Sequence, residues 1–461
     1  MAARLVPVNW LFLAGFCGSS LAVGLLAGID PKLAIAASVA IAFVLVVFAD
    51  LTVGLALFTF FSFLEVIPIG GVLSVSKLLG TLLAIAWIAF VLTHEDARSD
   101  FLAVHPGMSL VLGAFMGWVA LSALWAESTD VVVGTFGRFL LNVILYLIVF
   151  SAVRDRRQMK LVLGGLLAGA VAAGIYGLFF STAEQQIGYE GRVTGAGLDP
   201  NQLASILVAG TALAVGLAAS LKDNPGLRLA TLCASGFCFL TTILTGSRGG
   251  MVALGVMLVA AILFSGRYRG RVVVISALVA VAGVFYISAL APSYVRDRIQ
   301  SSQGEERRLE GRSTLWEIGQ RMVRANPVQG VGAGNFQVSS RHYLLQPGAV
   351  YRSDVIILTP QVAHNTYLEV AAELGIVGLL LFGSIAVFSV GSSLQAARIF
   401  RTAGDRGSEV LARSAAVALV GVLAADFFIS QEINKQLWLL FGIGPAILAV
   451  SRRLPAAGES A

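Results

Sequence analysis

The chain has four histidines, and only His364 stands at the head of an apolar run, AHNTYLEVAAELGIVGLLLF at 363–382. An imidazole is the usual general base near neutral pH. A helix N-terminus favours its neutral, proton-accepting form. The plain alternative is a capping or interfacial histidine. The same run carries Asn365, Glu369 and Glu373. At about 100° per residue, Glu369 lies roughly 140° and Glu373 roughly 180° around a helix from His364. A His–Glu dyad within this helix is therefore not expected. Pairing of both acids with neighbouring segments is.

The other candidates are arginines. Arg138 lies inside the run TFGRFLLNVILYLIVF. There it costs about 2.5–3.5 kcal/mol at a membrane centre and less near a helix end, and it either binds a ligand or snorkels to headgroups. In GRVTGAGLDPNQLA (191–204), Asp199–Pro200–Asn201 reads as a turn that starts a helix, with Arg192 and Asn201 over its mouth. In LTGSRGGMVAL (244–254), Ser247 and Arg248 interrupt two apolar runs between glycines that permit close approach. Arg312 reads as the opening of an amphipathic helix, where a cation opposes the macrodipole unless an anion or water covers it. Arginine suits bidentate phosphate binding better than lysine does. Taken together, Arg138, Arg192, Arg248 and Arg312 point to a large anion at a membrane surface, and a lipid pyrophosphate is the obvious one. There is no P-loop, no acidic metal cluster and no nucleophilic triad, so neither a metal nor a cofactor is expected.

The elements that must position these residues are membrane helices. The chain is 57% hydrophobic and 13% charged, against about 25% charged in soluble domains. About fourteen apolar segments, from 8–28 to 436–450, have the length of a helix crossing roughly 30 Å of hydrocarbon. Only Asp50 separates the second from the third, so twelve or thirteen spans would also fit. The first apolar run could pass for a signal peptide. A second follows almost at once, so the first reads as a retained span. Cys17, Cys233 and Cys238 all lie in apolar runs and suggest neither a disulfide framework nor a metal site. The net charge of +6 does not indicate nucleic acid, because in such a chain the position of positive charge matters more than its total.

The basic clusters VRDRRQMK (153–160), KDNPGLR (222–228), GRYRGR (266–271), ARIFRTAGDRGSEVLAR (397–413) and SRR (451–453) all fall on one side if fourteen spans start from a cytoplasmic N-terminus. AESTD (126–130), 182–201, 246–250 and 292–363 then share the other, periplasmic face, and both termini are cytoplasmic. The expected organisation is about eleven helices in 1–291, a long outer loop in 292–363 and about three helices in 364–461. In the loop, GRSTLWEIGQRMVRANP (311–327) places Leu315, Ile318, Met322 and Val323 at helical spacing. It is expected to lie on the membrane surface before the glycine turn GVGAGNF (330–336).

The SRG at 247–249, the GR…LW…P…GVGAGNF of 311–336 and the run at 363–382 together resemble the O-antigen ligase/polymerase superfamily, over about 130–382. The resemblance implies an all-α, polytopic, GT-C-like enzyme of the bacterial inner membrane. Such an enzyme is a metal-independent, inverting glycosyltransferase. It moves a glycan from undecaprenyl pyrophosphate to a glycan, lipid A core or protein hydroxyl, as a ligase or as a repeat-unit polymerase. It further implies that Arg248 and Arg138 hold the pyrophosphate with help from Arg192 and Arg312, and that His364 takes the acceptor proton. Asn201, Ser247 and Asn365 complete the expected substrate contacts. A lipid-linked glycan transporter, with Glu65 and Asp426 as coupling acids, is the competing class. A structural membrane scaffold is a third, though it would leave the outward arginines without a purpose.

Overall fold

The computed structural model describes residues 10–63, 68–69, 73–93, 101–181, 192–300, 305–346, 353–358 and 361–453. The helices are α1 (Trp10–Ile29), α2 (Pro31–Ala49), α3 (Leu51–Phe61), α4 (Val75–Thr93), α5 (Pro106–Leu121), α6 (Thr129–Ala152), α7 (Arg156–Phe179), α8 (Pro200–Ser220), α9 (Pro225–Leu244), α10 (Arg248–Phe264), α11 (Arg269–Phe285), α12 (Ser293–Gln300), α13 (Glu305–Ala325), α14 (Phe336–Leu344), α15 (Asp354–Ile357), α16 (Thr366–Thr402), α17 (Arg406–Ala425) and α18 (Lys435–Arg452). A two-residue antiparallel pair, Pro68–Ile69 with Leu73–Ser74, is the sheet among the described residues. Each expected apolar segment contains a helix among its described residues, though 51–69 is helical only as far as Phe61. Among the described residues, nine helical segments are long and apolar enough to cross a membrane. The protein is an all-α polytopic membrane protein.

Capping residues separate the spans. Asp50 accepts hydrogen bonds from the Thr52 and Val53 backbone N–H groups at 2.8 and 3.2 Å, so one acid both ends α2 and starts α3. Asp199 starts α8 through a reciprocal capping box with Gln202, and Pro200 occupies the first helical position. Asn224, Ser247, Asn365, Asp405 and Asn434 cap α9, α10, α16, α17 and α18 in the same way. Each cap satisfies N–H groups that hydrocarbon would leave bare.

The core is built around α8, α17 and α18. Every residue of α18 from Gln436 to Ser451 is buried. Trp438 meets Phe115, Phe139 and Phe441 at ring-centroid distances of 6.2, 6.1 and 5.8 Å. Its indole N–H donates to the Glu432 carbonyl at 2.8 Å. Lipid is as apolar as these rings, so close packing rather than the hydrophobic effect favours their association.

The two ends of the bundle differ in charge. At one end Glu409, fully buried, lies between Arg267 at 2.5 Å and Arg413 at 3.0 Å. There Arg156 pairs with Asp405 at 3.2 Å, and Arg453 donates to the Arg154 carbonyl. Gly407 packs beside Ser220, which brings in the end of the span before KDNPGLR. The five basic clusters therefore gather at one end, as their sequence positions predict.

At the other end, the segment after α11 forms a small core of its own from Leu315, Ile318, Met322, Val331, Phe336, Tyr343, Ile356, Ala363 and Ala372. This corrects the expected surface helix. The apolar face of α13 is covered by α14, α15 and the start of α16, so it is not presented to a bilayer. Arg321 tightens this unit, donating from Nη1 to the Tyr343 and Gln346 carbonyls at 3.0 Å each. Trp438→Ala should lower unfolding stability in detergent by about 3–5 kcal/mol, measured against Leu278→Ala on an exposed face (64% accessible), which should change it by less than about 0.5 kcal/mol.

Candidate functional site

The site begins with a break. Gly375 has φ +64 inside α16, so the helix runs from Thr366 to Leu374, stops, and resumes at Ile376. The sequence reading of one uninterrupted span is corrected here. A break inside a membrane protein frees carbonyls that must find donors. The glycine turn supplies them: Val331 N–H donates to the Ala372 carbonyl at 2.9 Å and Gly332 N–H to the Glu373 carbonyl at 2.8 Å. Trp118 Nε1 donates to the Leu374 carbonyl at 2.9 Å, and Ile376 N–H donates to the Pro327 carbonyl at 2.9 Å. The Glu373 carboxylate completes the joint by accepting from Gly334 N–H at 2.7 Å and Phe336 N–H at 3.1 Å, which fixes the start of α14. A Cβ at Gly375 would lie 2.1 Å from the Val328 carbonyl oxygen, so the docking excludes any side chain there.

The segment 126–128 joins the same unit. Asn335 accepts from Ser128 N–H at 2.9 Å, Ser339 donates to Glu127 at 2.8 Å, and Gly332 packs against Ala126. AESTD and the long loop thus lie at one end of the bundle.

His364 lies just outside the helix, not within it. Asn365 is the cap, accepting from Leu368 N–H at 3.1 Å. His364 has φ +50 and is the only non-glycine residue with positive φ among those described. Such a conformation costs about 1–3 kcal/mol and persists only where the surroundings impose it. They do so from both sides. Before the ring, the Ala363 carbonyl accepts from Trp316 Nε1 at 3.1 Å and its N–H donates to Glu369 at 3.3 Å. After it, Thr366 donates twice to the Ile429 carbonyl, from N–H at 3.0 Å and from Oγ1 at 2.8 Å. Burial holds the His364 imidazole below its ordinary range; the Arg312 charge adds to this and Asp199 opposes it.

Arg192, Asn201 and Ser247 form one network. Ser247 Oγ donates to Asn201 Oδ1 at 2.8 Å while accepting from Gly250 N–H at 3.1 Å. Arg192, buried to 5% accessibility, donates to the same Asn201 oxygen at 3.3 Å and to the Thr245 carbonyl at 2.9 Å. Asp199 caps the helix that carries Asn201, which ties this network to His364. Arg248 follows Ser247 as the first residue of α10. A Cβ on its neighbour Gly249 would lie 2.8 Å from Phe428 Cβ, and Phe428 precedes the Ile429 that holds Thr366. Gly249, beside Arg248, and Thr366, two residues after His364, therefore meet adjacent residues. His364, Arg248, Arg312 and Asn201 are each partly exposed.

Two expectations need correction. Arg312 does not open its helix; α13 starts at Glu305, and Arg312 acts from mid-helix as a charge near His364. Arg138 has not joined the network. It lies on an exposed face of α6 with Val133, Leu140 and Leu141. Ser247 and Asn365 both spend an oxygen on caps. Glu65 lies outside the described residues.

Four site residues escaped the sequence reading: Asp199, Trp316, Thr366 and Ser430. Asp199 was visible as a cap, but its nearness to His364 was not. Trp316 and Ser430 carry no local signal, since they meet the histidine turn from distant segments.

Residues 233–383 match the family model described as O-Antigen ligase. The match takes in Arg248, Arg312, the glycine turn, His364 and the Gly375 break; Arg138, Arg192 and Asn201 lie outside it. No curated protein matches the chain. Glu373→Ala should orphan two buried N–H groups, at about 1–3 kcal/mol each. Limited proteolysis should then cut within 305–346 at concentrations that leave the wild type intact, while the helical signal of the bundle persists.

Proposed function

From the match of residues 233–383 to the O-antigen ligase family model, we propose that this chain is a glycosyltransferase of surface polysaccharide assembly, with undecaprenyl-pyrophosphate-linked glycan as donor. In this reading the basic end faces the cytoplasm and the His364 end the periplasm of a bacterial inner membrane. The acceptor is a lipid A core hydroxyl, as in a ligase; a repeat-unit polymerase would use the same donor and machinery.

The observation that supports the reading is one strained, half-buried imidazole and one partly exposed arginine, Arg248, whose near neighbours Thr366 and Gly249 pack on the adjacent residues Ile429 and Phe428. His364 takes the proton of the acceptor hydroxyl. The acceptor oxygen attacks the anomeric carbon from the face opposite the leaving group, the carbon–oxygen bond to pyrophosphate breaks, and the configuration inverts. Arg248 and Arg312 offset the charge that grows on the departing pyrophosphate. Arg192, held by Asn201 and Thr245, keeps the floor of the site cationic. Pyrophosphate is already a competent leaving group, so positioning and charge balance suffice, and transfer should persist in excess chelator.

Asp426 favours the transport reading. It is buried, and neither carboxylate oxygen has a hydrogen-bond partner. Release of free undecaprenyl pyrophosphate by the purified protein, given donor and acceptor, decides for the enzyme; movement of intact donor without release decides for transport.

At equal expression, Arg248→Ala should lower kcat about 10²–10³-fold and His364→Ala about 10²–10⁴-fold, measured as glycan transfer. Normal transfer by both would end this mechanism. The pH dependence has a definite sign. A base held below about 6.5 stays neutral to lower pH, so the acidic limb of kcat/KM should fall below that value. Arg312→Gln removes a positive neighbour and should move the limb upward.

A further inference from the structure

Glu369 is buried, at 3% accessibility, one turn inside α16. Its side chain spends its hydrogen bonds elsewhere than on the His364 ring. It turns back along its own helix to the residue before the histidine. One oxygen, Oε2, accepts the Ala363 N–H at 3.3 Å and the Ser430 hydroxyl. Glu373, one turn further on, spends its carboxylate on the glycine turn. The two acids of this run thus hold different things, one the docked loop and the other the histidine turn.

What Glu369 holds is the peptide that sets the ring. Ala363 is gripped at its N–H by Glu369 and at its carbonyl by Trp316. His364 follows with φ +50, and Thr366 is then locked to Ile429. Ser430, the residue after Ile429, donates to Glu369. The 429–430 strip therefore contacts both flanks of the histidine: Ile429 through Thr366, and Ser430 through Glu369. A left-handed residue released at either flank would relax toward an ordinary backbone conformation, and the ring would swing with it.

From this arrangement we infer that Glu369 is a positioning residue for His364, acting as a hydrogen-bond acceptor that holds the imidazole in its left-handed turn. The inference rests on the reading of His364 as the base. Both donors meet the same oxygen, so an amide oxygen serves as well as a carboxylate. The role needs an acceptor and not a charge.

The test uses the full chain in proteoliposomes with undecaprenyl-pyrophosphate-linked glycan extracted from a strain lacking it. Glu369→Ala should lower kcat on the order of 10²-fold, the effect of misplacing a catalytic group by about 1 Å, with donor KM within about threefold of wild type. Its acidic limb should move toward the ordinary imidazole value as the ring loses its fixed burial. Glu369→Gln should keep kcat within about threefold and the limb in place. Trp316→Phe, which releases Ala363 from its other side while keeping an aromatic ring, should lower kcat without raising donor KM. It provides the test if Glu369→Ala fails to accumulate.

The inference is overturned if Glu369→Gln is as impaired as Glu369→Ala, if Glu369→Ala raises KM at unchanged kcat, or if Trp316→Phe is fully active. His364→Ala separates the two levels. Full activity there removes the base reading and this role with it. An inactive His364→Ala beside a fully active Glu369→Ala removes the positioning role alone.

Discussion

Apolar surroundings give a polypeptide no water with which to satisfy its backbone, and most of this architecture follows from that constraint. Several helices begin at a side chain that accepts the first N–H groups. The one helix broken in its interior has the bare carbonyls at its break met from outside, by Val331, Gly332 and the Trp118 indole. The loop after α11 is held in place because α16 needs its donors. The loop in turn needs a glycine at 375, since its own carbonyl at Val328 occupies the space where a side chain would be. Loop and helix complete one another, and the histidine turn lies between them.

That joint explains how a strained residue can sit on a membrane surface. A left-handed histidine in a free loop would relax. Here Trp316 comes from α13, Glu369 from within α16 and Ile429 from the segment before α18. Three separate parts of the chain must shift together before His364 can turn. The same convergence sets its electrostatics, because burial and Arg312 both favour the neutral ring while Asp199 acts against them. The arginines are graded by depth. Arg192 is deeply buried and fully engaged, Arg248 and Arg312 are half-exposed, and Arg138 lies on an outward face.

Much of this was legible in the amino-acid order. The helices, their starts and the gathering of the basic clusters at one end follow from local rules of apolar length, capping chemistry and charge placement. The link between Arg192, Asn201 and Ser247 was foreshadowed only as a shared face. The readings that failed share a cause. Arg312 looked like a helix opening because the polar turn before it, EERRLE, resembles loop. The helix at 363–382 looked continuous because a single glycine is compatible with an unbroken helix until something docks against it.

By itself, then, the sequence determined which segments are helices and several of the caps that start them. These are properties of neighbours within one or two helical turns, where period and capping leave little choice. The tertiary structure alone decided that α16 breaks at Gly375, that Glu369 reaches back to the histidine turn while Glu373 receives the glycine loop, and that Gly249 and Thr366 pack on the adjacent residues Phe428 and Ile429. Those outcomes depend on which distant donors arrive to satisfy buried carbonyls and carboxylates, and no local pattern specifies that meeting.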